Sequence, residues 1–89
     1  MKPTDAQLIL WEWAVHGPVP GFEHEMASLA MSYADLTTKS EEAHKLAMTT
    51  AGAEFSAAVS DWFSVSVQLG AVWKRILDLN WLLRRAGLV

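Results

Sequence analysis

The chain has 89 residues, a formal net charge of −3 and no cysteine, with 52% apolar and 19% charged residues. A chain of this length builds one hydrophobic core, so we expect a single helical domain over residues 1–89. The balance of apolar and charged residues is that of a globular protein and excludes a disordered one. Without cysteine, disulfides and thiolate metal sites are also excluded.

The first predicted helix lies in the N-terminal segment, residues 1–17, and runs from residue 6 to about residue 15. Thr4 is a good N-cap, and Gln7, three residues later, completes a capping box. Gly17 suits the position just after a helix, and Pro18 prevents the helix from continuing.

Residues 17–21, Gly-Pro-Val-Pro-Gly, form a connector between this helix and a helical core over residues 22–89. Two prolines restrict both themselves and the residues before them to extended backbone. The connector is either a plain loop between helices or a rigid link that lets the first helix dock as a separate arm.

The second predicted helix begins near Phe22. Its apolar residues recur at helical spacing: Phe22, Met26, Leu29, Tyr33 and Leu36. Thr37 and Thr38 are poor residues for a helix interior, and Thr38 with Glu41 makes a second capping box. We therefore expect a new helix to begin at Thr38.

A long apolar stripe predicts a C-terminal helix from about residue 53 to Gly87. From Phe55 to Leu83, apolar residues follow one another at steps of three or four. Such a helix is about 50 Å long, whereas a compact domain of this size is about 30–35 Å across. Either Gly70 breaks the helix or its end projects towards a second chain.

The strict alternation of residues 65–69, Val-Ser-Val-Gln-Leu, leaves a strand as an alternative for that segment. The helical spacing continues on both sides, which favours a helix there. The expected fold class is therefore all-α, a small bundle of three to four helices with a long C-terminal helix.

Charge is divided unevenly along the chain. Residues 1–54 carry a net charge of −5, with eight acids and three bases, and residues 55–89 carry +2, with four bases and two acids. An acidic body with a basic end suits head-to-tail or antiparallel self-association, so we expect a homo-oligomer. Four bases are too few for a nucleic-acid surface, so no nucleic-acid partner is expected.

The N-terminus lacks the order of charged and apolar residues found in a signal peptide, and its apolar run, residues 8–11, is short. No stretch reaches 18 apolar residues without a polar interruption. We expect a cytoplasmic protein with no membrane partner.

Glu41-Glu42-Ala43-His44 contains Glu-x-x-His, the half-site of helical di-iron carboxylate proteins. The spacing puts Glu41 and His44 on one helix face, and a homodimer would supply the second half-site. A metal-binding homodimeric bundle is therefore an alternative. The favoured interpretation has no metal and no cofactor, because one motif of four residues is weak support.

No ordered set of nucleophile, base and acid, and no glycine-rich phosphate loop, is present in the sequence, so no catalytic residue is assigned and we expect a non-enzymatic protein. Trp11 and Trp13 are two residues apart on one helix and cannot both face one core. With Pro18 and Pro20 they are the predicted contacts to a larger partner protein. The predicted self-association surface is Trp62, Trp73, Ile76, Trp81 and Leu83.

The opening Thr4-Asp5-Ala6-Gln7-Leu8, the proline break and the alanine-rich helix with Glu25, Ala27 and Ser28 resemble the start of type I-E anti-CRISPR proteins. These are small all-helical phage proteins that dimerise and block a CRISPR effector protein. The resemblance covers the first third of the chain and implies a phage-encoded inhibitor. The tryptophan-rich C-terminal half departs from it, so neither a target nor a binding residue is carried over.

A second resemblance concerns the turn before the C-terminal helix. Ala51-Gly52-Ala53-Glu54-Phe55, leading to Trp62, is similar to the turn and second helix of the helical hairpins secreted by ESX systems. Thr50 stands where those hairpins have tryptophan, and the N-terminal helix with its connector is not part of their plan. An ESX-type secreted hairpin is a further alternative.

Overall fold

The computed structural model describes residues 3–89, with side chains from Asp5 onwards. These residues form three helices, α1 (Pro3–His16), α2 (Glu23–Thr49) and α3 (Ala53–Arg85), and no strand. The all-α prediction with a long C-terminal helix is confirmed, and the helices number three within the described part.

Helix α1 ends as its sequence predicts. The N–H of Gly17 donates to the carbonyl of Trp13 at 2.9 Å, and Gly17 has φ +88°, a conformation that glycine adopts without steric cost. The capping box predicted at the other end depends on the side chain of Thr4, which lies outside the described side chains.

Helix α2 runs without a break through Thr37 and Thr38, so the predicted new helix at Thr38 is wrong. The Thr38 hydroxyl donates to the carbonyl of Ala34 at 3.1 Å, one turn back within the same helix. A threonine bonded in this way satisfies its hydroxyl inside a helix, so the capping-box pattern did not start a new one.

Helix α3 is continuous through Gly70, so neither of two alternatives, a break at Gly70 and a strand at residues 65–69, is found. The protein is elongated, 52 × 19 × 18 Å, because α2 continues alongside α3 instead of ending at Thr37. Helix α3 ends in a Schellman motif: Leu88 N–H bonds the Leu83 carbonyl at 2.9 Å, and Gly87 N–H bonds the Arg84 carbonyl at 3.1 Å.

The core lies at one end of the molecule, where all three helices meet. Its buried residues are Ala6, Trp13, Val19, Met26, Leu29, Tyr33, Ile76, Leu79 and Leu83. The other half is a two-helix hairpin closed by the turn at Gly52, and there Ala58 is the one buried residue of segment 37–68. Because α1 has only 14 residues against 27 and 33 in α2 and α3, it covers part of their length.

Candidate interaction surfaces

Trp13 fixes α1 against α3. Its indole Nε1 donates a 3.1 Å hydrogen bond to Oδ1 of Asn80, and both side chains are buried. The structure therefore places Trp13, which the sequence proposed as a contact to a partner protein, inside the core. A buried tryptophan needs a partner for its N–H, and Asn80 provides it.

Two ion pairs join the acidic and basic halves of the chain to each other. Arg84 pairs with Glu12 on α1, and Arg75 pairs with Glu25 on α2 at 2.8 Å. Half of the basic residues of the C-terminal segment are thus used within one chain, which accounts for part of the uneven charge distribution.

The outer side of α1 carries an exposed apolar stripe. Leu8, Trp11 and Val15 are 59%, 66% and 69% exposed. Their spacing of three and four residues puts them on one helix face, opposite the inward Ala6 and Trp13. Trp11, a predicted partner contact, therefore lies on the side of α1 that faces away from the core.

The connector that follows α1 is held by its middle residue. Val19 is fully buried, and its carbonyl accepts a 2.9 Å hydrogen bond from the N–H of Phe22. Pro18 and Pro20, on either side, are exposed. The connector thus lies fixed on the molecule with both prolines accessible to a partner.

The five residues predicted to mediate self-association are placed in different surroundings. Ile76 and Leu83 are fully buried within the chain, and Trp73 is half-buried against the same core. Trp62 and Trp81 are exposed, and the Arg85 guanidinium lies 5.0 Å from the centre of the Trp81 ring. Only these two tryptophans of the set present much surface to another molecule.

Helix α1 lies over the trough between α2 and α3 and packs mainly against α3. Leu10, Trp13 and Ala14 of α1 face Met26 and Ala30 of α2 across a shared cleft. On the other wall, Trp13 bonds Asn80 of α3. The trough therefore has a wall of α2 residues and a wall of α3 residues, with α1 between them.

The same trough continues, uncovered, along the hairpin. Eighteen residues are about five turns at about 3.6 residues per turn, so positions 18 apart lie on the same side of a helix. On α2 this relation links Met26 to His44 and Ala30 to Met48; on α3 it links Trp73, Leu77 and Asn80 to Phe55, Val59 and Trp62. We name His44, Met48, Phe55, Val59 and Trp62 the open trough. All five are exposed.

The two walls of the open trough meet at one aromatic contact. The rings of His44 and Trp62 are 5.7 Å apart, centre to centre, and inclined at 51°. The apolar spacing of the sequence predicts one helix face for Phe55, Val59 and Trp62. It does not indicate that His44 or Met48 belongs to an apolar surface. The signal that identifies them is the 18-residue relation to Met26 and Ala30.

Glu41 and His44 are both exposed on α2, as a metal half-site requires. Among residues 3–89, however, no three histidine, aspartate or glutamate side chains are grouped closely enough to hold a metal ion. A metal site at Glu41 and His44 would therefore need ligands from a second chain.

Comparison of the chain with protein-family models, with curated proteins and with solved structures finds no match. In the part of the chain that the structure describes, no helix has the length and apolar character needed to cross a bilayer.

Proposed function

We propose that this protein acts by contact, without catalysis, and that it binds a larger protein through the outer side of α1. The observation that supports this most is the exposed stripe of Leu8, Trp11 and Val15 on a helix whose opposite side is firmly docked. An apolar helix face held on a rigid support loses little conformational entropy when a partner binds it.

Trp11 is the central residue of this surface. Tryptophan is enriched among the residues that carry most of the binding energy at protein interfaces. The neighbouring Pro18 and Pro20 extend the surface along the connector and add contacts that are already rigid.

The resemblance of the first third of the chain to type I-E anti-CRISPR proteins suggests the class of target. The proposal is a phage-encoded inhibitor or regulator of a host protein such as a CRISPR effector protein, acting in the cytoplasm. Self-association is part of the proposal, because the hairpin half of the molecule lacks a third helix.

A phage-plating assay tests the inhibitor. Cells with an active type I-E CRISPR system and a spacer against the phage would express the protein, and plaques would be counted. We expect expression to restore plaques and Trp11→Ala to abolish the effect. Loss of a tryptophan hot spot costs about 2 kcal/mol or more, which is about thirtyfold in affinity.

Met31→Ala is the matched control, because Met31 is an exposed apolar residue on α2, away from α1. It should restore plaques as the wild type does. No restoration by the wild-type protein would contradict the CRISPR target. Equal activity of the wild type and Trp11→Ala would contradict the α1 surface.

The antiparallel α2–α3 hairpin, with its turn at Gly52, favours a second candidate, an ESX-type secreted hairpin. Expression in a host with an ESX system tests it directly. Accumulation of the protein in the culture medium that stops when the ESX ATPase is deleted would favour this candidate over the inhibitor. Retention in the cells in both strains would contradict it.

A further inference from the structure

We propose that the open trough binds the open trough of a second copy of this chain, giving a twofold-symmetric dimer with an antiparallel four-helix bundle at its centre. This inference specifies where the self-association in the proposed function takes place. It does not depend on the partner bound by α1, because α1 and the open trough occupy opposite halves of the hairpin.

The dimensions of the trough favour a helical occupant. Its uncovered part runs from Thr37 to Thr49, which is about 20 Å at 1.5 Å per residue, close to the length of α1 itself. When two troughs face each other in antiparallel orientation, α2 packs on the partner's α2 and α3 on the partner's α3. Each half-covered hairpin then gains the packing layer that α1 supplies in the other half.

The composition of α3 favours burial in this half. From Phe55 to Trp73 the helix has a single charged residue, Asp61, whereas residues 74–85 have five. Its one polar face is formed by Ser56, Ser60, Ser64 and Gln68, and the rest of its circumference is apolar or small, which favours packing against more than one neighbouring helix. Within one chain α2 covers only one side of this segment.

The exposed apolar area of the open trough supplies part of what a dimer buries. Phe55 and Trp62 are 46% and 40% exposed, and each aromatic side chain can bury about 150–250 Å², so these two leave about 170 Å² uncovered. Val59 and Met48 add aliphatic surface beside them. A stable interface buries about 800 Å² per partner, of which somewhat over half is apolar.

Charge also fits a second copy. Glu41 and Lys45 lie on α2 beside the trough, both exposed, and neither has an ion pair to a residue outside α2 in the described part of the chain. A twofold axis that is perpendicular to the helices and level with Ala43 places Glu41 of each copy opposite Lys45 of the other. The same axis brings the two Trp62 side chains near the centre, where interface aromatics contribute most.

The solution mass of the full chain, measured by light scattering over a range of concentrations, tests the proposal. We expect twice the mass of one chain for the wild type and the mass of one chain for Val59→Glu, which places a charge in the trough. Phe55→Lys serves as a second trough variant. Circular dichroism must show unchanged helix content, so that loss of the dimer is not loss of the fold.

Trp81→Glu and Trp11→Glu are matched controls, because both replace an exposed tryptophan outside the open trough. Trp81 lies about 28 Å along α3 from Trp62. Both variants should keep the dimer mass. A monomer for Trp81→Glu together with a dimer for Val59→Glu would place the contact at the other end of α3 and overturn the proposal.

A charge exchange tests the orientation. Glu41→Lys alone opposes like charges twice in the dimer, and we expect its dimer dissociation constant to rise by a factor of about two to thirty, from about 0.2–1 kcal/mol for each of the two exposed pairs. The double variant Glu41→Lys/Lys45→Glu restores opposite charges and should return to the wild-type value. A double variant as weak as the single one would overturn the antiparallel arrangement.

The two proposals can fail separately. A wild-type protein that remains a monomer up to about millimolar concentration, the range of weak association, would contradict the proposal that a second copy binds the open trough. The trough would then be a binding site for a helix of another protein. That result would not affect the phage-plating assay, since Trp11 is not in the trough. A wild-type protein that dimerises but does not restore plaques would contradict the CRISPR target and would leave the proposed dimer contact at the open trough unaffected.

Discussion

Trp13 and Asn80 are 67 residues apart in the sequence and are joined by a buried hydrogen bond of 3.1 Å. The bond sets the position of α1 along α3, since only one register brings the indole N–H to the amide oxygen. It also explains a polar side chain in the core: Asn80 is buried because Trp13 is buried next to it.

Asn80→Ala should destabilise the protein by about 1–3 kcal/mol, because the indole N–H of Trp13 is left without an acceptor in the core. Urea denaturation followed by circular dichroism measures the change. In the Trp13→Phe background the same substitution should cost clearly less, because the donor has been removed. Equal costs in both backgrounds would show that the hydrogen bond contributes nothing.

Glu12→Ala should cost no more than about 1 kcal/mol, because Glu12 and Arg84 are both about half exposed and solvent weakens their attraction. The difference from the wild type should shrink further when urea denaturation is repeated in about 1 M salt, where the screening length falls to about 3 Å. A large cost that persists in high salt would indicate that Glu12 stabilises α1 through packing.

Leu83→Ala should destabilise the monomer by about 2–5 kcal/mol, since Leu83 is fully buried and its removal leaves a cavity. Leu82→Ala, at the neighbouring and half-exposed position, should cost much less. Chemical denaturation of the two variants gives the comparison. Similar small effects for both would contradict the placement of Leu83 in the core.

Gly52→Ala should destabilise the hairpin by about 1–3 kcal/mol, because Gly52 has φ +66° and ψ −135°, a conformation nearly restricted to glycine. Gly70→Ala makes the same chemical change inside α3, where an added Cβ meets nothing within 4 Å. It should stabilise the helix by about 0.5–1 kcal/mol. Thermal unfolding of both variants should therefore shift in opposite directions.

The helical nature of the chain and several helix ends were readable from local sequence alone. Gly17 and Gly87 end α1 and α3 because a residue with positive φ is needed after the last turn, and this requirement involves only neighbouring residues. The apolar spacing from Phe55 to Leu83 likewise predicted a long helix, which is the helix observed.

The continuity of α2 and α3 was decided by tertiary packing. Thr37, Thr38 and Gly70 have low helix propensity, and each was a predicted or possible break. In the folded chain, α2 and α3 lie side by side beyond these positions, and packing of two apolar faces outweighs a few tenths to one kcal/mol of local preference.

The sequence by itself determined that the chain is helical, where α1 and α3 end, and that one of Trp11 and Trp13 must face away from the core. Only the tertiary structure decided which one does, because burial depends on the side of α1 that meets Asn80, 67 residues away. It also decided that Ile76 and Leu83 are core residues and that His44 and Met48 belong to the open trough. Those assignments depend on how three helices of unequal length are aligned, which helical periodicity within one segment does not specify.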